Sequence, residues 1–135
     1  MGTRADFYIG DGPDMEWLGS ISWDGYPDGI PIDVMRSTSV AVYQANVERM
    51  FAERDDVRRP AEGWPWPWDD SQTTDYAYSL RDGAVYASHF GYAWFLATGE
   101  EPEDEGEGKV VTFPDMTARK NVRMDHSSGL IVFTA

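Results

Sequence analysis

The stretch Thr73–Phe90 reads Thr-Thr-Asp-Tyr-Ala-Tyr-Ser-Leu-Arg-Asp-Gly-Ala-Val-Tyr-Ala-Ser-His-Phe, and it decides the fold. In its first half, large apolar residues alternate with small or polar ones, as in a β-strand with one buried face. This alternation places Tyr76, Tyr78 and Leu80 on one face. Arg81–Gly83 carries the residues of a hairpin turn, and Ala84–Phe90 is predicted to return as the partner strand. After Gly91 the apolar run Tyr92–Leu96 continues the meander, which we expect at the centre of a sheet.

Two further regions complete the predicted fold. Ala5–Ile9 and Met15–Trp23 read as an opening hairpin. The alternation of the second strand places these residues on one side: Met15, Trp17, Gly19, Ile21 and Trp23. Ser39–Arg54 reads as the main helix, and a short helical lead-in precedes it around Ile32–Met35. Thr38 or Ser39 is the expected N-cap. The helix has an amphipathic stripe formed by Val40, Tyr43, Val47, Met50, Phe51 and Arg54.

The last part of the chain predicts short closing elements. Lys109–Phe113 and Leu130–Phe133 read as strands, and Pro114–Lys120 reads as one helical turn between them. The sequence therefore predicts an α+β fold in one globular domain over residues 1–135, with an antiparallel β-sheet packed against one main α-helix.

Residues 63–70 read Gly-Trp-Pro-Trp-Pro-Trp-Asp-Asp, a segment that can be neither helix nor central strand because of its two prolines. Each tryptophan can remove about 150–250 Å² from water, so the loop is either pinned to the fold or holds a ligand. We favour anchoring, with the loop tying the main helix to the meander. The alternative is an aromatic pocket for a nucleotide or another small ligand, formed by Trp64, Trp66, Trp68, Tyr76, Tyr78 and Trp94.

The formal net charge is −13. It is concentrated in residues 1–35 and 61–108. Within the second region, Gly99–Gly108 contains six acidic residues and no apolar one, and is therefore expected to form a mobile acidic loop. Such a field repels nucleic acid and anionic membranes and attracts basic partners, although solubility alone often explains an acidic surface.

Few catalytic chemistries fit the composition. The chain has no cysteine and only two histidines, His89 and His126, and it lacks a Gly-x-Ser-x-Gly elbow and a phosphate-binding glycine loop. The acids near turns, Asp11, Asp14, Asp24 and Asp28, do not follow calcium-loop spacing. We predict no metal, no cofactor and no enzymatic activity, and keep a carboxylate-based hydrolase as a weaker alternative.

Several blocks resemble small acidic accessory proteins encoded by bacteriophages and prophages. They are Arg4–Gly10, Glu16–Ile21, Trp23–Tyr26, Gly63–Trp68, Thr73–Tyr78, Phe113–Met116 and Ala118–Val122. The resemblance implies a phage accessory protein that acts in the cytoplasm of a bacterial host, and it carries over no catalytic residues.

The resemblance and the charge together suggest a non-enzymatic inhibitor or adaptor that binds a basic, nucleic-acid-binding host protein, as an anti-CRISPR or other counter-defence protein would. We expect such an inhibitor to bind neither nucleic acid directly nor a membrane. The acids expected to meet the partner are Asp6, Glu16, Asp24, Asp75, Glu100, Glu101, Glu103, Asp104 and Glu105. There is no apolar run of membrane-spanning length in the sequence, so a cytoplasmic location is expected.

Overall fold

The computed structural model describes residues 2–99 and 111–119. Their framework is one six-stranded sheet with the strand order β3-β2-β1-β4-β5-β6. The strands are β1 (Ala5–Ile9), β2 (Glu16–Ile21), β3 (Val57–Arg58), β4 (Tyr76–Arg81), β5 (Ala84–His89) and β6 (Phe95–Leu96). Single 3₁₀ turns lie at Gly12–Asp14, Pro27–Gly29, Pro60–Glu62, Ser71–Thr73 and Thr117–Arg119.

The sheet is mostly antiparallel, as predicted, but its two central strands run parallel. β1 pairs with β2, and β4 with β5, in antiparallel hairpins. The predicted hairpin turn between β4 and β5 is confirmed, and both of its central residues, Asp82 and Gly83, have positive φ. β1 and β4 pair in parallel from Ala5 opposite Tyr76 to Ile9 opposite Leu80, and this one pair departs from the predicted antiparallel arrangement. The long connection through the helices allows this, because β4 re-enters the sheet from the end where β1 begins.

A β-bulge in β2 places Trp17 on a different face of the sheet from Ile21, contrary to the prediction. Phe7 pairs with Gly19 but Tyr8 pairs with Trp17, which leaves Leu18 as an extra residue on β2. Trp17 therefore packs on the face opposite to that of Ile21, whereas a regular strand would place both on one side.

The main helix α2 covers Val40–Ala52, and a short helix α1 covers Ile32–Met35 before it. Ser39 caps α2, because its side chain accepts a hydrogen bond from the backbone N–H of Val42 at 3.3 Å. The predicted stripe is confirmed at its buried members, Tyr43, Val47, Met50 and Phe51. Val40, the first helical residue, is exposed.

Both faces of the sheet are covered. α2 packs on the face that carries Phe7, Tyr78 and Leu80. On the other face, small residues such as Ala77 and Ser20 leave room for large rings, and the Trp-Pro loop packs there. The prediction that this loop ties the main helix to the meander is therefore wrong, because the sheet lies between them.

Residues 111–113 are not part of the sheet, so within the described residues the predicted closing strand Lys109–Phe113 is wrong. Val111, Phe113 and Met116 instead pack against the Trp-Pro loop. The predicted turn in Pro114–Lys120 appears as the 3₁₀ turn Thr117–Arg119, and the predicted strand Leu130–Phe133 lies outside the described residues. Among the helices described, none has the length and apolar character needed to cross a bilayer.

Candidate functional site

The tryptophans of the Trp-Pro loop are part of the core. Trp64 and Trp66 are only 3% and 9% exposed. Trp64 meets Trp17 edge to face with ring centroids 5.2 Å apart, and its Nε1 donates to the carbonyl of Trp68 at 2.6 Å. Trp68 in turn donates from Nε1 to Oγ1 of Thr74 at 2.9 Å. The loop is therefore anchored to the fold through both rings and polar edges, although on the face of the sheet opposite to the main helix.

Asp6 is the polar centre of this anchoring, and it is fully buried. Its carboxylate accepts hydrogen bonds from Oγ of Ser20 at 2.6 Å, from Oγ of Ser71 at 2.6 Å and from Nε1 of Trp66 at 2.7 Å. Burial raises the pKa of Asp6, while these hydrogen bonds act in the opposite direction without cancelling it. Asp6 lies on a central strand beneath the Trp-Pro loop, so its predicted role as a partner-binding surface acid is wrong.

The six residues of the predicted aromatic pocket lie on two faces of the sheet. Tyr76 and Tyr78 belong to the core beneath α2, where Tyr76 stacks on His89 with ring centroids 4.4 Å apart. The tryptophans pack on the opposite face: Trp64, Trp66, Trp68 and Trp94. The alternation of β4 produces this division, so the six residues do not line one pocket.

The other predicted acids are not brought together. Glu16 begins β2, whereas Asp24 follows the far end of the same strand. Asp75 is occupied locally, since it accepts from the backbone N–H of Arg4 at 2.8 Å and lies 3.6 Å from its guanidinium. The remaining predicted acids lie outside the described residues: Glu100, Glu101, Glu103, Asp104 and Glu105.

The largest exposed aromatic side chain among the described residues is Trp23, at 48%, and sequence reasoning missed it. Tyr26 is also 42% exposed. Three exposed carboxylates accompany these two rings: Asp24, Asp28 and Asp55. We refer to Trp23, Asp24, Tyr26, Asp28 and Asp55 as the Trp23 surface. The signal in the sequence was the dense turn Asp24–Gly29, which ends β2 before Trp23 can turn inward.

A buried ion pair fixes the backbone that presents Trp23. The carboxylate of Asp56 accepts from the backbone N–H groups of Ser22 and Trp23 at 2.9 and 3.1 Å. It also accepts from Nε and Nη2 of Arg54 at 2.7 and 2.8 Å, and the same Nη2 donates to the carbonyl of Trp23 at 2.6 Å. We call Arg54 and Asp56 the clamp, because together they hold both polar groups of the Trp23 backbone.

The electrostatics of the clamp follow from its geometry. Burial alone would raise the pKa of Asp56, but the hydrogen bonds from Arg54 and from the backbone of Trp23 and Ser22 lower it below its ordinary value. The hydrogen bond to Asp56 raises the pKa of Arg54. Both groups therefore stay charged, and the Asp56 side chain is fully buried.

The turn after Trp23 is packed against β1. A Cβ added at Gly25 would lie only 2.7 Å from Cβ of Ala5, so only glycine fits this contact. The backbone N–H of Gly25 donates to the carbonyl of Thr3 at 2.8 Å, and its carbonyl accepts from the hydroxyl of Tyr78 at 2.7 Å. Trp23 is therefore an exposed ring on a fixed backbone.

Beside this ring lies a cleft of about 320 Å³. Its lining includes Trp23, Asp55, Asp56, Arg58 and Trp66. Within residues 2–99 and 111–119, no group of three or more His, Cys, Asp or Glu side chains could hold a metal ion. The cleft therefore offers an aromatic face, a carboxylate and a guanidinium as its chemistry.

Comparison with known proteins found no similarity to this chain: no protein-family model, no curated protein and no solved structure matches it.

Proposed function

We propose that this protein binds a basic surface of another protein through the Trp23 surface. The observation that carries the proposal is the exposed Trp23 ring on a backbone held by the clamp, with the exposed carboxylates Asp24 next to it in the chain and Asp55 in the same cleft lining. Tryptophan and tyrosine are the residues that most often dominate the energy of protein interfaces. A ring on a fixed backbone also loses little conformational entropy when it is covered.

The distribution of ion pairs supports a basic partner. Of the seven arginines in residues 2–99, five pair with carboxylates of the chain: Arg4, Arg49, Arg54, Arg59 and Arg81. In the same part of the chain, the carboxylates of the Trp23 surface form no ion pair. Part of the uncompensated negative charge of the described residues therefore lies next to the exposed rings, where it would steer lysine- and arginine-rich surfaces to them.

The resemblance to phage accessory proteins supports a more specific partner. In this proposal the chain acts in a bacterial cytoplasm as a non-enzymatic inhibitor or adaptor, and it occupies the basic surface of a host or defence protein that normally contacts nucleic acid. Carboxylates would take the positions of phosphates on that surface, while Trp23 would supply apolar contact area.

The test is affinity capture from bacterial lysate followed by binding measurements with the captured protein. We expect Trp23→Ala to weaken binding by about 30-fold or more, the loss that a dominant interface ring produces. The double substitution Asp24→Asn with Asp28→Asn should weaken it further at low salt, and the wild-type affinity should fall as salt screens the exposed charges.

A charge-matched control separates this surface from the general acidity of the chain. Asp14→Asn with Glu16→Asn removes the same number of charges at the opposite end of β2, and both side chains are exposed. Binding should change little in this variant. The proposal is wrong if the control weakens binding as much as the variants of the Trp23 surface, or if the affinity does not depend on salt.

A further inference from the structure

We infer that the cleft beside Trp23 takes up an arginine side chain of the partner and discriminates against lysine. This inference rests on the proposed function and names the side chain that the site would recognise. It follows from two properties of the cleft, an aromatic wall and one uncommitted carboxylate, and it takes account of the positive charge of Arg58 nearby.

The aromatic wall comes from Trp23, with Trp66 also contributing to the lining. A planar guanidinium stacks on an indole ring, while its N–H groups remain free to donate in the plane. The cleft of about 320 Å³ is open to solvent, and Trp23 in its lining is exposed, so a side chain can enter without displacing the core.

The uncommitted carboxylate is Asp55. It is exposed and lines the cleft, and it has no ion pair within residues 2–99 and 111–119. The adjacent Asp56 also lines the cleft, but its oxygens are taken up by Arg54 and by two backbone N–H groups. Asp55 is therefore the acceptor available to an incoming cation.

The planar, weakly hydrated guanidinium explains why arginine is favoured over lysine, because the positive charge of Arg58 weakens the electrostatic attraction of either cation to the cleft. Arg58 lines the same cleft, where its Nε donates a long hydrogen bond of 3.4 Å to the carbonyl of Glu62. A lysine ammonium is a strongly hydrated point charge, and Arg58 would offset much of its attraction to Asp55. A guanidinium loses less on desolvation, and it gains from stacking as well as from hydrogen bonds to the carboxylate.

The experiment compares two peptides of equal length and charge, one with three spaced arginines and one with lysines at the same positions. Binding of each fluorescently labelled peptide to the full chain is measured at low ionic strength. We expect the arginine peptide to bind about tenfold more tightly, the difference that one stacked, hydrogen-bonded guanidinium provides.

Two variants and one control locate the effect. Asp55→Asn and Trp23→Ala should each reduce the affinity for the arginine peptide to that for the lysine peptide, whereas Asp14→Asn should leave the ratio unchanged. Thermal melting of each variant verifies that the fold is intact, which is expected because both altered side chains are exposed.

The possible failures are distinguishable. If both peptides bind equally, or if neither binds, the inference is wrong; the proposed function still stands when capture of the partner depends on Trp23. If the arginine preference survives in Asp55→Asn, the carboxylate is not the acceptor and the inference is also wrong. If Trp23→Ala captures the partner as well as the wild type does, the proposed function itself is wrong.

Discussion

Replacement of Asp6 provides a sharp test of how the Trp-Pro loop is held. In Asp6→Ala, three buried donors lose their acceptor: the hydroxyls of Ser20 and Ser71 and the indole N–H of Trp66. Each buried donor without a partner lowers stability by about 1–3 kcal/mol. Removal of the carboxylate also removes its unfavourable desolvation, which offsets part of this loss. We therefore expect the free energy of unfolding to fall by about 3–5 kcal/mol, out of a total of about 5–15 kcal/mol for a domain.

Asp6→Asn is the matched variant, because its amide keeps the shape of the side chain. The amide oxygen can still accept from Ser20 and Trp66, and its NH₂ group can donate to Ser71. Ser71 can then reverse its 2.6 Å hydrogen bond with the hydroxyl of Tyr8, in which either oxygen can be the donor. We expect a loss of about 1 kcal/mol or less at neutral pH.

The pH dependence follows from the direction of the pKa shift of Asp6. Because its pKa is higher in the folded state than the ordinary value of 3.8, folding favours the protonated form. The stabilisation is therefore complete below pH 3.8 and is lost as the pH rises through the raised pKa. Asp6→Asn lacks this contribution, so its stability relative to wild type should increase with pH above 4 or so.

Urea unfolding followed by tryptophan fluorescence measures all three proteins across this pH range. The difference between wild type and Asp6→Asn isolates Asp6, because contributions from other groups cancel. The reasoning is refuted if Asp6→Ala loses less than about 1 kcal/mol, the value of a single hydrogen bond. It is also refuted if Asp6→Asn is as unstable as Asp6→Ala, or if the difference between wild type and Asp6→Asn does not change with pH.

Three further predictions concern the rest of the fold. Gly19→Ala should destabilise the protein by about 2–3 kcal/mol in thermal or urea unfolding, because the new Cβ would lie 2.6 Å from the ring of Phe51 and φ is +151°. Asp56→Asn should lower stability by about 3 kcal/mol at pH 7, since it leaves Arg54 unpaired; the loss relative to wild type should shrink as pH falls through the lowered pKa of Asp56. Trp66→Ala should cost about 3–5 kcal/mol in the same unfolding assay, and a loss below about 1 kcal/mol would show that the loop is not part of the core.

Much of the framework could be predicted from local patterns. The β4–β5 hairpin follows from the alternation in Tyr76–Leu80 and from the turn Asp82-Gly83, and both are confirmed. The N-cap at Ser39 and the buried stripe of α2 are confirmed for the same reason. These features depend on residues a few positions apart, and the period of the side chains reports them directly.

The candidate site could be predicted only in part. Asp24 was identified as a surface acid, but Trp23 was only placed on the same side as Trp17 and Ile21, because a regular strand was predicted from Met15 to Trp23. The bulge at Leu18 moves Trp17 to the opposite face of the sheet, and the end of β2 at Ile21 releases Trp23 from the strand alternation. Neither event has a local signature as strong as strand alternation itself.

The sequence by itself determined the charge of the chain, the meander, the capped main helix and the need to anchor the Trp-Pro loop. Only the tertiary structure decided which face that loop covers, that β1 and β4 run parallel, that Asp6 is buried, and that Trp23 is exposed above the clamp. The physical reason is the distance along the chain. Trp66 meets Asp6, and Arg54 meets Trp23, only after segments of many residues have folded back, and local residue patterns do not encode such contacts.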